Sequence, residues 1–172
     1  MKNNSCICPT AFSMNESIHI YTDGAASGNP GPGGYGVVML YKGHRKEFSE
    51  GFKHTTNNRM ELLAVIIALE QLKKEKCYVT VFSDSKYVVD AFEKKWLDGW
   101  VKKNFKKIKN VDLWLRLLKI YKKHHVKFTW VKGHANNKEN NRCDELAVDA
   151  YKQPNLKSDM GYEEAQENFF GE

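Results

Sequence analysis

The order of strand-like and helix-like segments changes partway along the chain, and this change limits the folds available to it. Three segments with strand composition come first, at residues 18–22, 35–41 and 46–52, and the last two are joined across Lys42, Gly43 and His44. Connections this short join antiparallel strands. After residue 55, helical patterns alternate with strand-like runs, as in parallel β-α-β units. The sequence therefore predicts an antiparallel meander followed by parallel pairing.

The second half contains the predicted helices and the remaining strands. Helical patterns cover residues 60–72, 85–95, 111–123 and 141–152, and β-branched or aromatic runs at residues 78–82 and 126–131 predict strands. The helix at 111–123 is amphipathic, and we predict that Leu115, Leu118 and Tyr121 form its apolar face. Residues 28–34 are rich in glycine and proline, which predicts a turn.

Length and charge favour a single domain that acts on a polyanion. A chain of 172 residues that is 41% hydrophobic supports one substantial core. We predict a flexible leader at residues 1–15, a domain at residues 16–154 and a polar, acidic tail at residues 155–172. The net charge of +6 suits a nucleic-acid substrate.

Cysteine spacing and hydropathy favour a cytoplasmic protein. The four cysteines, among them Cys6 and Cys8, form no Cys-x-x-Cys pair, so neither a zinc site nor a disulfide framework is expected. The first seventeen residues lack the apolar core of a secretory signal. No stretch approaches the ~20 apolar residues that a membrane span needs. We expect no membrane association.

Four acidic residues in distinctive settings are the candidates for chemistry: Asp23 in Tyr-Thr-Asp-Gly, Glu61 in Asn-Asn-Arg-Met-Glu, Asp84 in Phe-Ser-Asp-Ser and Asp144 in Arg-Cys-Asp-Glu. Each also has an ordinary structural interpretation. Asp23 can open a turn, Glu61 can form a capping box with Asn58, and Asp84 can cap a helix. Asp144 can complement the dipole in the first turn of a helix. Taken singly, each acid is better explained by its structural role.

The predicted positions of these acids favour one shared site. Asp23 ends the first strand, Asp84 ends the fourth, and Glu61 and Asp144 open helices that can pack over the sheet. Ligands bind at the carboxyl ends of strands in open sheets. Carboxylates within ~4–6 Å of one another repel and raise their pKa values, so such a cluster would need cations. Oxygen ligands suit Mg²⁺ or Mn²⁺, and two such ions can drive hydrolysis of a phosphodiester.

Residues from about 18 to 162 resemble type 1 ribonuclease H, the enzyme that cleaves RNA in RNA–DNA hybrids. The resemblance rests on ordered segments: Tyr21-Thr-Asp-Gly, Gly28-Asn-Pro-Gly-Pro-Gly-Gly-Tyr-Gly, Thr55-Thr-Asn-Asn-Arg-Met-Glu-Leu, Ser83-Asp-Ser, Asn110-Val-Asp-Leu-Trp, Trp130-Val-Lys-Gly-His and Asn141-Arg-Cys-Asp-Glu-Leu-Ala. It implies an α/β fold with a mixed five-stranded sheet, its first three strands antiparallel, flanked by helices on both faces. It also implies endonucleolytic hydrolysis that leaves 5′-phosphate and 3′-hydroxyl ends.

The same resemblance implies a role for each catalytic candidate. Asp23, Glu61, Asp84 and Asp144 become a tetrad that binds two Mg²⁺ ions, for which Mn²⁺ can substitute. Asp23 bridges both ions, Asp144 helps to hold the ion that activates water, and the other two acids hold the ion on the leaving-group side. His134 assists proton transfer or product release, although composition alone favours an ordinary exposed loop histidine.

The resemblance further implies contacts with the hybrid. Asn29, Asn57, Asn58 and Lys86 match substrate contacts of the family, and Thr56 matches a residue that grips a DNA-strand phosphate. Lys86 replaces a glutamine that is common in bacterial relatives. Turn and capping chemistry is the structural alternative for the three asparagines.

A basic region follows at residues 94–109, with seven lysines and one acidic residue interleaved with Trp96, Trp100 and Phe105. Basic residues among aromatics can follow a phosphate backbone without sequence preference. We therefore include both tryptophans among the candidate substrate contacts, the alternative being a solvated helix with its aromatics in the core. Two other functions stay open: a non-catalytic hybrid-binding module, and another nuclease or transferase of this fold. We expect a monomer with no obligate protein partner.

Overall fold

The computed structural model describes residues 17–170, which contain a five-stranded sheet covered by helices. The strands are β1 (Ile18–Ala26), β2 (Gly31–Tyr41), β3 (His44–Thr55), β4 (Tyr78–Ser83) and β5 (His125–Trp130). The helices are α1 (Asn57–Glu70), α2 (Lys86–Glu93), α3 (Trp96–Lys102), α4 (Val111–Tyr121), α5 (Lys138–Tyr151) and α6 (Met160–Phe170). The strand order is β3-β2-β1-β4-β5; β1 to β3 are antiparallel, and β1, β4 and β5 are parallel. The predicted mixed sheet is confirmed.

Strand β2 begins earlier than predicted. It starts at Gly31 rather than at residue 35, so much of the glycine-rich segment predicted as a turn is strand. Its glycines pair with β1, with Gly33 opposite Ala26 and Gly34 opposite Ala25. Pairing with β1 therefore outweighs the turn preference of this composition.

Gly36 of β2 allows α5 to lie directly on the sheet. A Cβ atom at Gly36 would overlap the carbonyl oxygen of Cys143 on α5. No residue with a side chain fits this distance between helix and strand. The contact places Asp144, the neighbour of Cys143, above the strand that pairs with β1.

The main hydrophobic core lies on the opposite face of the sheet. Tyr35 and Val37 flank Gly36 and point away from α5, because successive side chains of a strand alternate between faces. They belong to the same buried cluster as α1, whose run from Arg59 to Ile66 is buried throughout. The sheet is thus covered on both faces, and α1 is the largely buried helix that the sequence predicts.

The predicted apolar face of α4 was wrong in one position. Leu115 is 52% exposed, whereas Leu113, Trp114 and Leu117 are buried. Apolar residues surround much of this helix, so periodicity alone does not select its buried side. The fully buried Trp114 ring, which contacts the Trp100 ring edge to face at 5.1 Å, settles the orientation.

The segment beyond residue 154 contacts the domain. Lys157 forms an isolated parallel bridge with Phe52, and α6 follows. Buried Asp159 accepts hydrogen bonds from Nε and Nη2 of Arg59 at 2.7 and 2.9 Å. The same guanidinium donates to both oxygens of Asp112 at 2.9 and 2.7 Å. The predicted polar tail is therefore tied to the first turn of α1 through a buried arginine.

The predicted leader at residues 1–15, with Cys6 and Cys8, lies outside the described residues. Between residues 17 and 170, no helix has both the length and the apolar character needed to cross a bilayer.

Candidate active site

Three carboxylates converge where β1 and β4 lie side by side. Thr22 is opposite Ser83 in this parallel pair, so the residues that follow them, Asp23 and Asp84, lie next to each other. Glu61 comes from α1, which packs on β1. One carboxylate oxygen from each of Asp23, Glu61 and Asp84 lies within 4.8 Å of the other two. The structure therefore brings three of the four predicted acids together.

Gly24 makes room for Glu61. A Cβ atom at Gly24 would overlap the backbone nitrogen of Glu61, so α1 and β1 meet backbone to backbone. The Glu61 side chain is buried, and its Oε2 atom has no hydrogen-bond partner among the described residues. A buried carboxylate oxygen without a partner is costly, and a hard cation is a suitable partner for it.

The structural interpretations of Asp23 and Glu61 do not hold. Asp23 lies inside β1, which continues to Ala26, so it neither opens a turn nor ends its strand as predicted. Helix α1 is capped by Thr56, whose hydroxyl accepts from the Arg59 backbone N–H at 3.4 Å. Glu61 is the fifth residue of that helix, beyond the capping-box position, and the prediction that it opens the helix was wrong.

The structural interpretations of Asp84 and Asp144 fail in the same way. Ser85 occupies the N-cap of α2, so Asp84 lies between strand and helix without capping it. Asp144 lies in the interior of α5, whose first-turn acid is Glu139, so the prediction that it opens the helix was wrong. None of the four acids has a helix-terminal role that explains its presence.

Burial and mutual repulsion raise the pKa values of the cluster. Burial, followed by the charges of Asp84 and Asp144, raises the pKa of Asp23 from 3.8 to about 8. Burial, followed by the charges of Asp23 and Asp84, raises the pKa of Glu61 well above its usual value. A hydrogen bond between the two carboxyls raises the pKa of Glu61 and lowers that of Asp23. The metal-free cluster therefore holds a proton at neutral pH, which a cation would displace.

Asp144 and His134 lie at the outer side of the cluster. The Asp144 side chain is 34% exposed and is not one of the three whose oxygens lie within 4.8 Å of one another. Its charge still contributes to the raised pKa of Asp23, which places it close by. The Nδ1 atom of His134 lies 4.0 Å from Asp144 Oδ2, and the imidazole is 84% exposed. His134 therefore lies between Asp144 and solvent.

Sequence reasoning missed the residues that surround Asp84. The Trp130 indole N–H donates to the Asp84 carbonyl at 3.0 Å, and Gly133 lies so close to the carboxylate that a Cβ atom there would overlap Oδ2. The Asn140 amide donates to Asp84 Oδ2 at 3.2 Å. Asn140 precedes Asp144 by four residues and so lies on the same face of α5. That spacing is the signal from which it could have been found.

The donor set fits divalent cations. Asp23, Glu61 and Asp84 offer only carboxylate oxygens, which are the ligands that Mg²⁺ and Mn²⁺ take in proteins. Cation binding would also offset the repulsion that raises the pKa values of Asp23 and Glu61. The sequence-based expectation of a metal site thus agrees with the geometry.

Several candidate substrate contacts line one groove at the N-terminus of α1. This groove, of about 810 Å³, is bordered by Asn29, Thr56 and Asn58 on one side and by α6 on the other. The Asn29 side chain accepts from the Asn57 backbone N–H at 3.1 Å. Asn58 is exposed, whereas Thr56 caps α1 as described above. The structural and substrate-binding roles of these residues are therefore compatible.

Lys86 and the predicted tryptophans occupy different environments. The ammonium group of Lys86 lies 5.3 Å from the centre of the Trp130 ring, a cation–π contact next to Asp84. Trp96 is 44% exposed, and Trp100 packs against Trp114. Trp96 thus offers a ring at the surface, whereas Trp100 serves the core at least in part. All seven lysines of residues 94–109 are exposed.

Comparisons with known proteins agree on one family. The ribonuclease H family model matches residues 15–152. The ribonuclease H of Desulforamulus reducens is 62% identical over 150 residues, covering 84% of this chain and 94% of the relative. The ribonuclease H of Syntrophus aciditrophicus is 54% identical over 152 residues, covering 86% of this chain and 87% of the relative.

Solved structures show the same likeness. LC9-RNase H1, a type 1 RNase H with the type 2 active-site motif, superposes with a TM-score of 0.72 at 32% identity, covering 78% of this chain and 72% of that chain. LC11-RNase H1, solved in complex with an RNA/DNA hybrid, superposes with a TM-score of 0.59 at 29% identity, covering 79% of this chain and 97% of that chain.

Proposed function

Because the chain belongs to the ribonuclease H family, we propose that it hydrolyses the RNA strand of RNA–DNA hybrids at internal phosphodiester bonds. The observation that carries this proposal is the convergence of Asp23, Glu61 and Asp84 within 4.8 Å of one another. LC11-RNase H1 was solved in complex with an RNA/DNA hybrid, and that complex supports the hybrid as the substrate that we propose. The products are 5′-phosphate and 3′-hydroxyl ends.

Asp23, Glu61 and Asp84 would hold the cations, with Asp144 completing the set from α5. When bound, two divalent cations supply Lewis-acid chemistry at the attacking water and at the departing 3′ oxygen. The three inner carboxyls must be ionised to act as ligands, so the proton held between Glu61 and Asp23 leaves first. Burial of Glu61 keeps water away from that side of the site.

His134 moves protons at the solvent side. Its imidazole is exposed and its Nδ1 atom lies 4.0 Å from Asp144 Oδ2, so the ring stands between the acids and solvent. His134 therefore assists proton transfer or product release, and it does not belong to the ligand set.

The hybrid binds across the groove and the basic region. Asn29, Asn57 and Asn58 offer short polar groups that suit contacts across a minor groove, and Thr56 adds a hydroxyl for a phosphate. Lys86, fixed against Trp130, supplies a positive charge beside Asp84. Trp96 and the exposed lysines of residues 94–109 add affinity that depends on salt.

Mg²⁺ is the cation that we propose for the cell, with Mn²⁺ as a substitute, because the donor set contains only oxygen. We also propose a cytoplasmic monomer. The buried free thiol of Cys143 is compatible with a reducing compartment. Sedimentation of the purified chain would test the monomer, and any stable dimer would contradict it.

The decisive experiment compares four substrates of one sequence: single-stranded RNA, duplex RNA, duplex DNA and the RNA–DNA hybrid. Each is incubated with and without Mg²⁺, with Asp84→Asn as the inactive control. We expect Mg²⁺-dependent cutting of the RNA strand of the hybrid alone, giving fragments that a 5′-phosphate-dependent ligase accepts. Tight hybrid binding without cutting would instead favour a non-catalytic binding module.

A further inference from the structure

Asn140 is a buried amide with one polar contact. It lies on α5, is 1% exposed, and donates from Nδ2 to Asp84 Oδ2 at 3.2 Å. Its Oδ1 atom is buried and has no hydrogen-bond partner within residues 17–170. The acceptor side of this amide is therefore unused within the described residues.

Stability does not explain an amide in this place. A buried polar atom without a partner costs free energy that an apolar side chain of similar shape, such as leucine, would avoid. Residues that lower stability in this way are retained where they serve function. Because Asn140 contacts Asp84, we connect it with the function of the acidic cluster.

The Asp84 carboxylate is held from two sides. Gly133 lies against Oδ2, because a Cβ atom there would overlap this oxygen, and Asn140 donates to the same oxygen. The Trp130 indole holds the backbone of Asp84 at its carbonyl. These contacts all come from β5, α5 and their connection, which are remote in sequence from β4. They limit the directions in which the carboxylate can turn.

Asn140 also connects Asp84 to Asp144. The two α5 residues are four positions apart on one helix face, so the amide that contacts Asp84 and the outer carboxylate move as one body. A shift of α5 would break the contact between Asn140 and Asp84 and would displace Asp144 at the same time. The helix thus sets the position of two acids from different elements.

We propose that Asn140 is a positioning residue, whose amide fixes the Asp84 carboxylate in the orientation that places it beside Asp23 and Glu61 for divalent cations. This proposal rests on the proposed cation site. Residues that orient metal ligands typically contribute roughly 10–100-fold to metal affinity or activity. Asn140 acts through Asp84 and needs no contact with the substrate.

The test measures cation binding without nucleic acid. Mn²⁺ is titrated calorimetrically into the native chain and into the variants Asn140→Ala and Asn140→Leu. Leucine keeps the branched shape of the asparagine side chain and removes its polar atoms. We expect both variants to bind Mn²⁺ roughly 10–100-fold more weakly. In hybrid cleavage, we expect a lower kcat that rises again at high Mg²⁺ concentration, with KM for the hybrid unchanged.

Asn137→Ala is the matched control. The Asn137 side chain caps α5 by accepting from the Asn140 backbone N–H at 3.1 Å, so its removal weakens the helix and leaves the amide that contacts Asp84 intact. We expect this variant to melt at a lower temperature and to bind Mn²⁺ as the native chain does.

Two results would overturn the proposal. The first is native-like Mn²⁺ binding, within about two-fold, by folded Asn140→Leu. The second is equal weakening in Asn137→Ala, which would assign the effect to helix stability. If the native chain neither bound Mn²⁺ nor cut the hybrid, the proposed function itself would fall, and this inference with it.

Discussion

Replacing Asp23 with asparagine should stabilise the metal-free protein, and the gain should grow as the pH rises. The pKa of Asp23 is raised from 3.8 to about 8, and each unit of pKa is worth about 1.4 kcal/mol. Ionising Asp23 in the native state therefore costs about 6 kcal/mol in full. Asparagine has the same shape, carries no charge, and can still accept the hydrogen bond that the Gly24 N–H donates at 2.8 Å.

The pH dependence follows from the direction of the shift. Between pH 4 and pH 8 the native state binds more protons at Asp23 than the unfolded state does, so this residue lowers stability progressively as the pH rises. The variant lacks that loss. Because Glu61 titrates together with Asp23 and relieves part of the repulsion, we expect a measured gain of about 2–4 kcal/mol at pH 8, or roughly 5–15 °C in melting temperature. Near pH 4 the gain should vanish.

Urea unfolding in the presence of a chelator, from pH 4.5 to pH 8.5, measures this gain. Asp149→Asn is the matched control, since Asp149 is an exposed aspartate on α5 and its replacement should change stability little at any pH. Adding Mg²⁺ should stabilise the native chain more than Asp23→Asn and narrow the gap between them. A gap of equal size at pH 5 and pH 8 would refute the reasoning, as would a native chain more stable than the variant at pH 8.

Cation binding should release protons and become tighter between pH 6 and pH 8, because burial raises the pKa values of Asp23 and Glu61. Calorimetry in two buffers of different ionisation enthalpy measures the proton release, and equal affinity at both pH values would contradict this prediction. Arg59→Met should cost about 3–5 kcal/mol of unfolding free energy, since it leaves buried Asp159 unpaired. Arg116→Met, which removes a more exposed pair, should cost less than about 1 kcal/mol; equal losses in urea unfolding would be inconsistent with this ranking. His134→Ala should lower kcat for hybrid cleavage but leave more activity than Asp23→Asn, and complete loss in both would count against its assisting role. Hybrid affinity should fall steeply with salt, whereas a flat response would exclude a phosphate-binding role for residues 94–109.

Local patterns were sufficient to predict the five strands and their relative directions. The short connection between β2 and β3 favours antiparallel neighbours, and alternating helices and strands favour parallel ones, whereas the order of the strands in the sheet was not predicted. Three of the four predicted acids converge in the structure, and Asp23 and Asp84 do so because they follow paired residues of adjacent strands. What the sequence could not supply was their exact place within each element.

The errors in the predicted positions have different physical causes. Helix α1 begins at Asn57 because Thr56 caps it, and that start moves Glu61 from the capping box into the helix interior. Strand β2 extends into a glycine-rich segment because β1 pairs with it there. Asn140 contacts Asp84 across 56 residues of chain, and its spacing from Asp144 is the one local sign of its place near the acids. The first of these contacts is a local cap, the second is pairing with the neighbouring strand, and only the third joins distant parts of the chain.

Gly24 and Gly36 influence how far apart the functional side chains stand, and they contribute no functional group themselves. One glycine sets the distance of α1 from the sheet and the other sets the distance of α5, on opposite faces. A methyl group at either position would leave every carboxylate, amide and imidazole in the chain and alter only their spacing. A survey of this protein by side-chain chemistry would therefore overlook these two glycines, which have no side chain and yet help to set the dimensions of the active site.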